Sequence, residues 1–102
     1  MYIPEDAEVF TAKGRKVVII YRRFPEDVRW DNWGFTIQEG DLYTVIINAD
    51  ISLPTQHEVL GHELAHIFCN HFERKDLDRD SKEEEANQKA WEYYEAYKAG
   101  KL

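Results

Sequence analysis

The sequence changes character near Pro54, and this change limits the folds open to the chain. Before Pro54, short segments rich in Val, Ile, Thr and Tyr are separated by Gly, Asn and Asp, which is typical of strands joined by turns. After Pro54 there is no further proline, and the only glycines are Gly61 and Gly100, so two helix-length segments can form. The pattern predicts an α+β fold, with strands first and helices second.

Two hairpins are predicted in the first half. Segments 8–11 and 16–21 flank the turn residues Lys13-Gly14-Arg15, and segments 34–38 and 42–48 flank Glu39-Gly40-Asp41. Turn-forming residues between Arg29 and Gly34 are expected to separate the two hairpins.

Two helices are predicted in the second half. Thr55 and Glu58 fit a capping box, which predicts a helix from there to about residue 71. Ser81 and Glu84 fit a second capping box, which predicts a helix to about residue 99, before Gly100.

Composition excludes several classes of protein. A length of 102 residues suits a single domain over 1–102, and a hydrophobic content of 43% is enough for a packed core. The net charge of -7 argues against direct binding of nucleic acid, because phosphate binding depends on clustered Lys and Arg. The lone Cys69 cannot form an internal disulfide, and there is neither a secretory signal pattern nor an apolar run long enough to span a membrane. We therefore expect a cytoplasmic protein without membrane contact; the sequence carries no signal for an oligomeric state.

The segment His62-Glu63-Leu64-Ala65-His66 carries the chemistry. On a helix, residues four apart lie about 40° apart, so His62 and His66 can bind one metal ion from the same face. Glu63 lies about 100° from His62, a position from which it can hold the attacking water and act as general base. Zinc fits because three protein ligands leave a fourth position for water, whose pKa falls on the metal.

The alternative is that the two histidines match this pattern by accident. Apolar residues lie on the opposite side of the helix, so the histidine face is not needed for the core; they are Leu60, Leu64, Ile67 and Phe68. The spacings of His57 and Cys69 do not keep them on the histidine face. His71 follows His62 by nine residues, which turns it away from the metal unless the helix has ended, so we interpret it as a surface or packing histidine.

The residues that follow the first motif distinguish zinc-peptidase families. The extended metzincin motif is excluded, because Cys69 and Phe72 stand where that family has Gly and His. The sequence instead resembles the ImmA/IrrE-type zinc peptidases, in which strands precede His-Glu-Leu-x-His and a Glu-x-x-Ala-Asn segment opens the next helix. Here that segment is Glu83-Glu84-Glu85-Ala86-Asn87.

The resemblance implies that Glu83 completes a zinc site with His62 and His66, and that Asn87 supports a ligand histidine. Helical periodicity agrees with this choice of glutamate. Glu83 falls on the same face as Ala86, Ala90 and Tyr93, whereas Glu84 and Glu85 are expected to point towards solvent, with Glu84 as capping partner of Ser81.

We therefore expect a zincin-like minidomain, with a small antiparallel sheet packed on the active-site helix and a second C-terminal helix. The expected function is that of a zinc metalloprotease, an endopeptidase in which Glu63 is the catalytic base and the metal ligands are His62, His66 and Glu83.

A protein or peptide substrate is expected to add as a strand along Leu42–Asn48, and a regulatory protein is a second kind of partner. Candidates for stabilising the oxyanion are Tyr43, Tyr93 and Tyr94. Two rival hypotheses are a catalytically idle module that keeps zinc for protein interaction and a metal-free scaffold.

Overall fold

The computed structural model describes residues 3–24 and 33–102, and the chain divides into two compact units, residues 1–56 and 57–102. The first unit holds the strands β1 (Glu8–Ala12), β2 (Arg15–Arg22), β3 (Gly34–Glu39) and β4 (Leu42–Asn48). Helix α1 (Leu53–Phe68) begins in this unit and continues into the second, which also holds helix α2 (Arg79–Lys98). The predicted α+β class is confirmed. Most of the turn expected between Arg29 and Gly34, up to position 32, lies outside the described residues.

Both predicted hairpins are present. Lys13 and Gly14 join β1 to β2 with φ angles of 53° and 77°. Positive φ at both positions is the backbone of a tight hairpin turn whose twist matches that of the strands. Gly40, with φ of 62°, lies in the turn between β3 and β4.

The sheet has the order β1-β2-β4-β3 and is mixed. The two hairpins are antiparallel, but β2 and β4 run parallel, with Val17 opposite Tyr43 and Ile20 opposite Ile46. The expectation of an antiparallel sheet is therefore wrong for this central pair. Turn residues determine the pairing within each hairpin, whereas the pairing between hairpins depends on contacts distant in sequence.

Among the described residues of the first unit, most of the buried hydrophobic side chains belong to the two central strands. Six side chains are 0–1% exposed, namely Val17, Val18, Ile19, Tyr43, Val45 and Ile47. Since β4 pairs with strands on both sides, its backbone has no open edge. The expectation that a substrate adds as a strand along β4 is wrong, because strand addition needs unpaired N–H and C=O groups.

Both helices begin earlier than the capping boxes predict. At α1, the backbone N–H of Thr55 donates to Ser52 Oγ at 3.4 Å, and Ser52, not Thr55, precedes the first turn. At α2, Asp78 is the N-cap, and its carboxylate accepts the N–H of Ser81 at 2.7 Å. Glu84 is thus not a capping partner of Ser81, and its carboxylate accepts a hydrogen bond from Gln88 instead. Among the described residues, no helix is both long enough and apolar enough to cross a membrane.

Candidate metal centre

Helix α1 has the two faces that the sequence predicts. Leu60, Leu64 and Ile67 are at most 1% exposed, which confirms the apolar face. The side chains of His62 and His66 are 20% and 14% exposed, so they are shielded from solvent and still reachable. This face of α1 can therefore hold a site.

The second helix approaches α1 closely beside this face. Ala86 and Ala90 of α2 are buried, with exposures of 0% and 2%. A Cβ atom at Gly61 would overlap the carbonyl oxygen of Ala90, and it would lie 3.1 Å from Cβ of Tyr94. The absence of a side chain at Gly61 thus allows backbone contact one residue before His62.

Three side chains from the two helices converge. Nε2 of His62 lies 3.0 Å from Nε2 of His66, and Oε2 of Glu83 lies 2.9 Å and 3.1 Å from those two nitrogens. The structure therefore brings together the two histidines and the one glutamate that the sequence analysis selected.

This arrangement suits a metal ion. With zinc-to-ligand distances of about 2.0–2.1 Å, the ligands of a tetrahedral site lie about 3.3 Å apart, close to the spacings here. The donor set, two imidazole nitrogens and one carboxylate oxygen, is one that zinc accepts in catalytic sites. These three residues could hold a metal.

Electrostatics favour the form of His66 that binds a metal. Burial lowers the pKa of His66 below 6.5, and the neighbouring His62 lowers it further, against a weaker opposing effect of Glu83. A neutral imidazole has a lone pair to offer, whereas an imidazolium does not.

Glu63 follows His62 on α1 and is only 8% exposed. In the sequence it directly follows His62, which is the position of the glutamate in the His-Glu-x-x-His motif.

His71 does not point away from the site, because helix α1 has ended before it. It is a packing rather than a surface histidine, and its contact with His66 was not expected. Helix α1 ends at Phe68, and Asn70 adopts a left-handed conformation with φ of 62°. The N–H of His71 then donates to the carbonyl of His66 at 3.0 Å, and that of Asn70 to Ile67 at 3.2 Å, which is the Schellman pattern. The reversal of the chain brings the His71 ring back, so that its Nδ1 lies 2.8 Å from Nδ1 of His66.

Glu85 also differs from expectation. It does not simply face solvent, because its carboxylate bonds to Nε2 of His71 at 2.5 Å and its side chain is 30% exposed. This hydrogen bond is the main cause of the lowered pKa of Glu85.

Glu84 is exposed, as predicted. Asn87 is exposed too. Of the two ligand histidines that it could support, His66 has its Nδ1 2.8 Å from Nδ1 of His71 instead.

The other histidine and the tyrosines considered in the sequence analysis make contacts of their own. His57 stacks on Tyr94, with ring centroids 4.6 Å apart. The hydroxyl of Tyr93 lies 3.6 Å from Sγ of Cys69, and burial raises the pKa of this tyrosine to about 12. Tyr43 is 1% exposed, and its hydroxyl accepts from the Gln38 amide at 3.1 Å. A hydroxyl buried in this way is poorly suited to contact a substrate, so Tyr43 is the weakest of the three oxyanion candidates.

A pocket of about 200 Å³ opens beside the converging side chains. Its lining includes two of the three converging residues and two cations, and consists of His66, His71, Phe72, Arg79, Lys82 and Glu83. An open pocket at the candidate ligands would give a substrate access to them.

Comparison with known proteins identifies the family. No curated protein and no solved structure matches the chain significantly. A protein-family model does match, over residues 12–95, which is most of the chain and includes both motifs. That family is of the peptidase type, in agreement with the resemblance seen in the sequence. The chain therefore belongs to the Peptidase_M78 family, described as the IrrE N-terminal-like domain.

Proposed function

We propose that the protein is a zinc-dependent endopeptidase that hydrolyses peptide bonds of a protein substrate. The observation that carries this proposal is the convergence of His62, His66 and Glu83, whose ligand atoms lie 2.9–3.1 Å from one another. Membership of a peptidase family supports it independently.

His62, His66 and Glu83 are the proposed metal ligands, and zinc is the proposed metal. A zinc ion bound there would supply Lewis acidity, polarising the substrate carbonyl and making water more acidic. The three protein ligands would leave a coordination position for the reaction.

Glu63 is the proposed general base. Its carboxylate takes a proton from the attacking water and passes that proton to the leaving amine nitrogen as the peptide bond breaks. Its position directly after His62 in the His-Glu-x-x-His motif supports this role. The pocket lined by Arg79 and Lys82 would admit the substrate to the ligands. A cytoplasmic setting, in which the free Cys69 stays reduced, is part of the proposal.

A comparison of cleaved protein termini tests this function. A proteome is incubated with the zinc-loaded parent protein or with the zinc-loaded Glu63→Gln variant, and new termini are identified by mass spectrometry. The amide of glutamine matches the carboxylate in shape but is not a base, so we expect new termini only with the parent protein.

The zinc content of the variant serves as control, because both proteins must carry the metal for the comparison to address the base. If both proteins generate the same termini, Glu63 is not the base. If neither generates any although both hold zinc, the rival hypothesis of a catalytically idle interaction module is favoured.

A further inference from the structure

The ring nitrogen of His66 that faces away from Glu83 has a partner of its own. Nδ1 of His66 lies 2.8 Å from Nδ1 of His71, and the two rings meet at 67°. The His71 side chain is only 3% exposed. Two imidazole nitrogens at this distance share one proton, so one ring donates and the other accepts.

Glu85 determines which ring donates. Its carboxylate oxygen lies 2.5 Å from Nε2 of His71, and the Arg74 guanidinium lies 3.9 Å from the same oxygen. An ionised carboxylate only accepts hydrogen bonds, so Nε2 of His71 must carry a proton. A His71 ring that carries only this proton accepts at Nδ1, and Nδ1 of His66 is then the donor.

We propose that Glu85 and His71 are positioning residues that hold His66 in the tautomer with its proton on Nδ1 and its Nε2 lone pair directed at the metal. This inference rests on the proposed zinc site. The other tautomer of His66 would place an N–H at the metal position and block ligation. Hydrogen-bond partners of ligand histidines commonly affect metal affinity by about 10–100-fold.

The local fold explains how these residues meet. The reversal at Asn70 returns His71 to the face that carries His66. Glu85 follows Glu83 by two residues on α2, so the same helix supplies a candidate ligand to Nε2 of His66 and a carboxylate to the far side of His71.

An alternative role for these residues is a separate metal site formed by Cys69, His71 and Glu85, whose donor atoms also cluster. The distance of 2.5 Å between His71 Nε2 and Glu85 Oε1 argues for a hydrogen bond. Two ligands of one tetrahedral zinc ion would lie about 3.3 Å apart. The test must nevertheless distinguish the two roles.

Zinc affinity, measured by competition with a chelator, tests the proposal without reference to activity. The proteins compared are the parent, Glu85→Ala, His71→Phe, the double variant, and Glu84→Ala as matched control, because Glu84 is an exposed neighbour on the same helix. We expect Glu85→Ala and His71→Phe each to weaken zinc binding by about 10–100-fold, and Glu84→Ala to leave it unchanged. Since Glu85 acts through His71, Glu85→Ala should cause no further loss in the His71→Phe background.

Nitrogen-15 NMR of the zinc-loaded parent gives a second readout, namely which ring nitrogen of His66 carries the proton. A merely structural role of Glu85 and His71 would not determine this. We expect the His66 ring to be protonated at Nδ1 and metal-bound at Nε2. This measurement and the Glu85→Ala affinity remain decisive if circular dichroism shows that His71→Phe, a change at a buried position, does not fold.

Three results would overturn the inference alone: parent-like affinity in Glu85→Ala, a His66 bound through Nδ1, or a second zinc ion per parent chain that Glu85→Ala removes. A parent protein that binds no zinc would overturn the proposed function together with the inference. The two failures are therefore distinguishable.

Discussion

Gly61 of helix α1 lies against the backbone of Ala90 in helix α2, so closely that a Cβ atom at position 61 would be 2.7 Å from the Ala90 carbonyl carbon and would overlap its oxygen. This contact lies one residue before His62 in sequence. It sets the spacing of the helices that supply His62 and Glu83, whose ligand atoms are 2.9 Å apart.

Gly61→Ala is expected to destabilise the protein and weaken zinc binding. In an isolated helix, replacing Gly by Ala would stabilise by about 1 kcal/mol. Here the added methyl group meets rigid backbone, and overpacking of this kind typically costs about 1–3 kcal/mol. Separation of the helices would also move Glu83 away from the histidines. Urea unfolding and zinc titration of the variant measure the two effects; a stability equal to or above that of the parent would show that the helices are not in this contact.

The three adjacent glutamates of α2 are expected to differ in their effect on zinc affinity. Glu83→Ala removes a proposed ligand, so its loss should exceed the roughly 10–100-fold that is typical for a ligand's hydrogen-bond partner. Glu85→Ala should show a loss within that range, and Glu84→Ala none. The ligand assignment is wrong if titration of the three variants gives the largest loss for Glu84→Ala or Glu85→Ala.

The metal-free protein is expected to lose stability as the pH falls below about 6.5. Burial lowers the pKa of His66 in the folded state, so the unfolded chain takes up this proton at a higher pH than the folded chain. The contribution of His66 is therefore fully present above its unfolded pKa and is lost as the pH falls towards its folded pKa.

Urea unfolding of the metal-free protein at about pH 7.5 and about pH 5.5 measures this effect. The His66→Gln variant, which has no titrating ring at this position, should lose less stability over the same range. An equal loss in both proteins would assign the pH dependence to other groups.

The sequence predicts those parts of the fold that depend on local chemistry. Turn residues such as Gly14 and Gly40 define the hairpins. The apolar period of α1 separates Leu60 and Leu64 from the histidine face. By contrast, the parallel pairing of β2 with β4 joins segments distant in sequence, and no local pattern encodes it.

The helix ends limit what the sequence reveals about the site. Two capping candidates compete at each N-terminus, and in both cases the earlier one, Ser52 or Asp78, is used. At the C-terminus of α1, Asn70 is the local signal for the end of the helix, because Asn is the usual alternative to Gly in the left-handed position that ends a helix. A helix that ends at this residue predicts that the chain reverses and returns His71 towards His66. The contact between His71 and Glu85 depends on this reversal.

Metal analysis of the purified protein tests the central claim most directly. His62, His66 and Glu83 are proposed to share one metal, and removing one of three protein ligands takes away a large part of the affinity of such a site. We therefore expect about one zinc per chain in the parent protein by elemental analysis, and little or none in His62→Ala and His66→Ala. Full zinc occupancy in both variants would contradict the account.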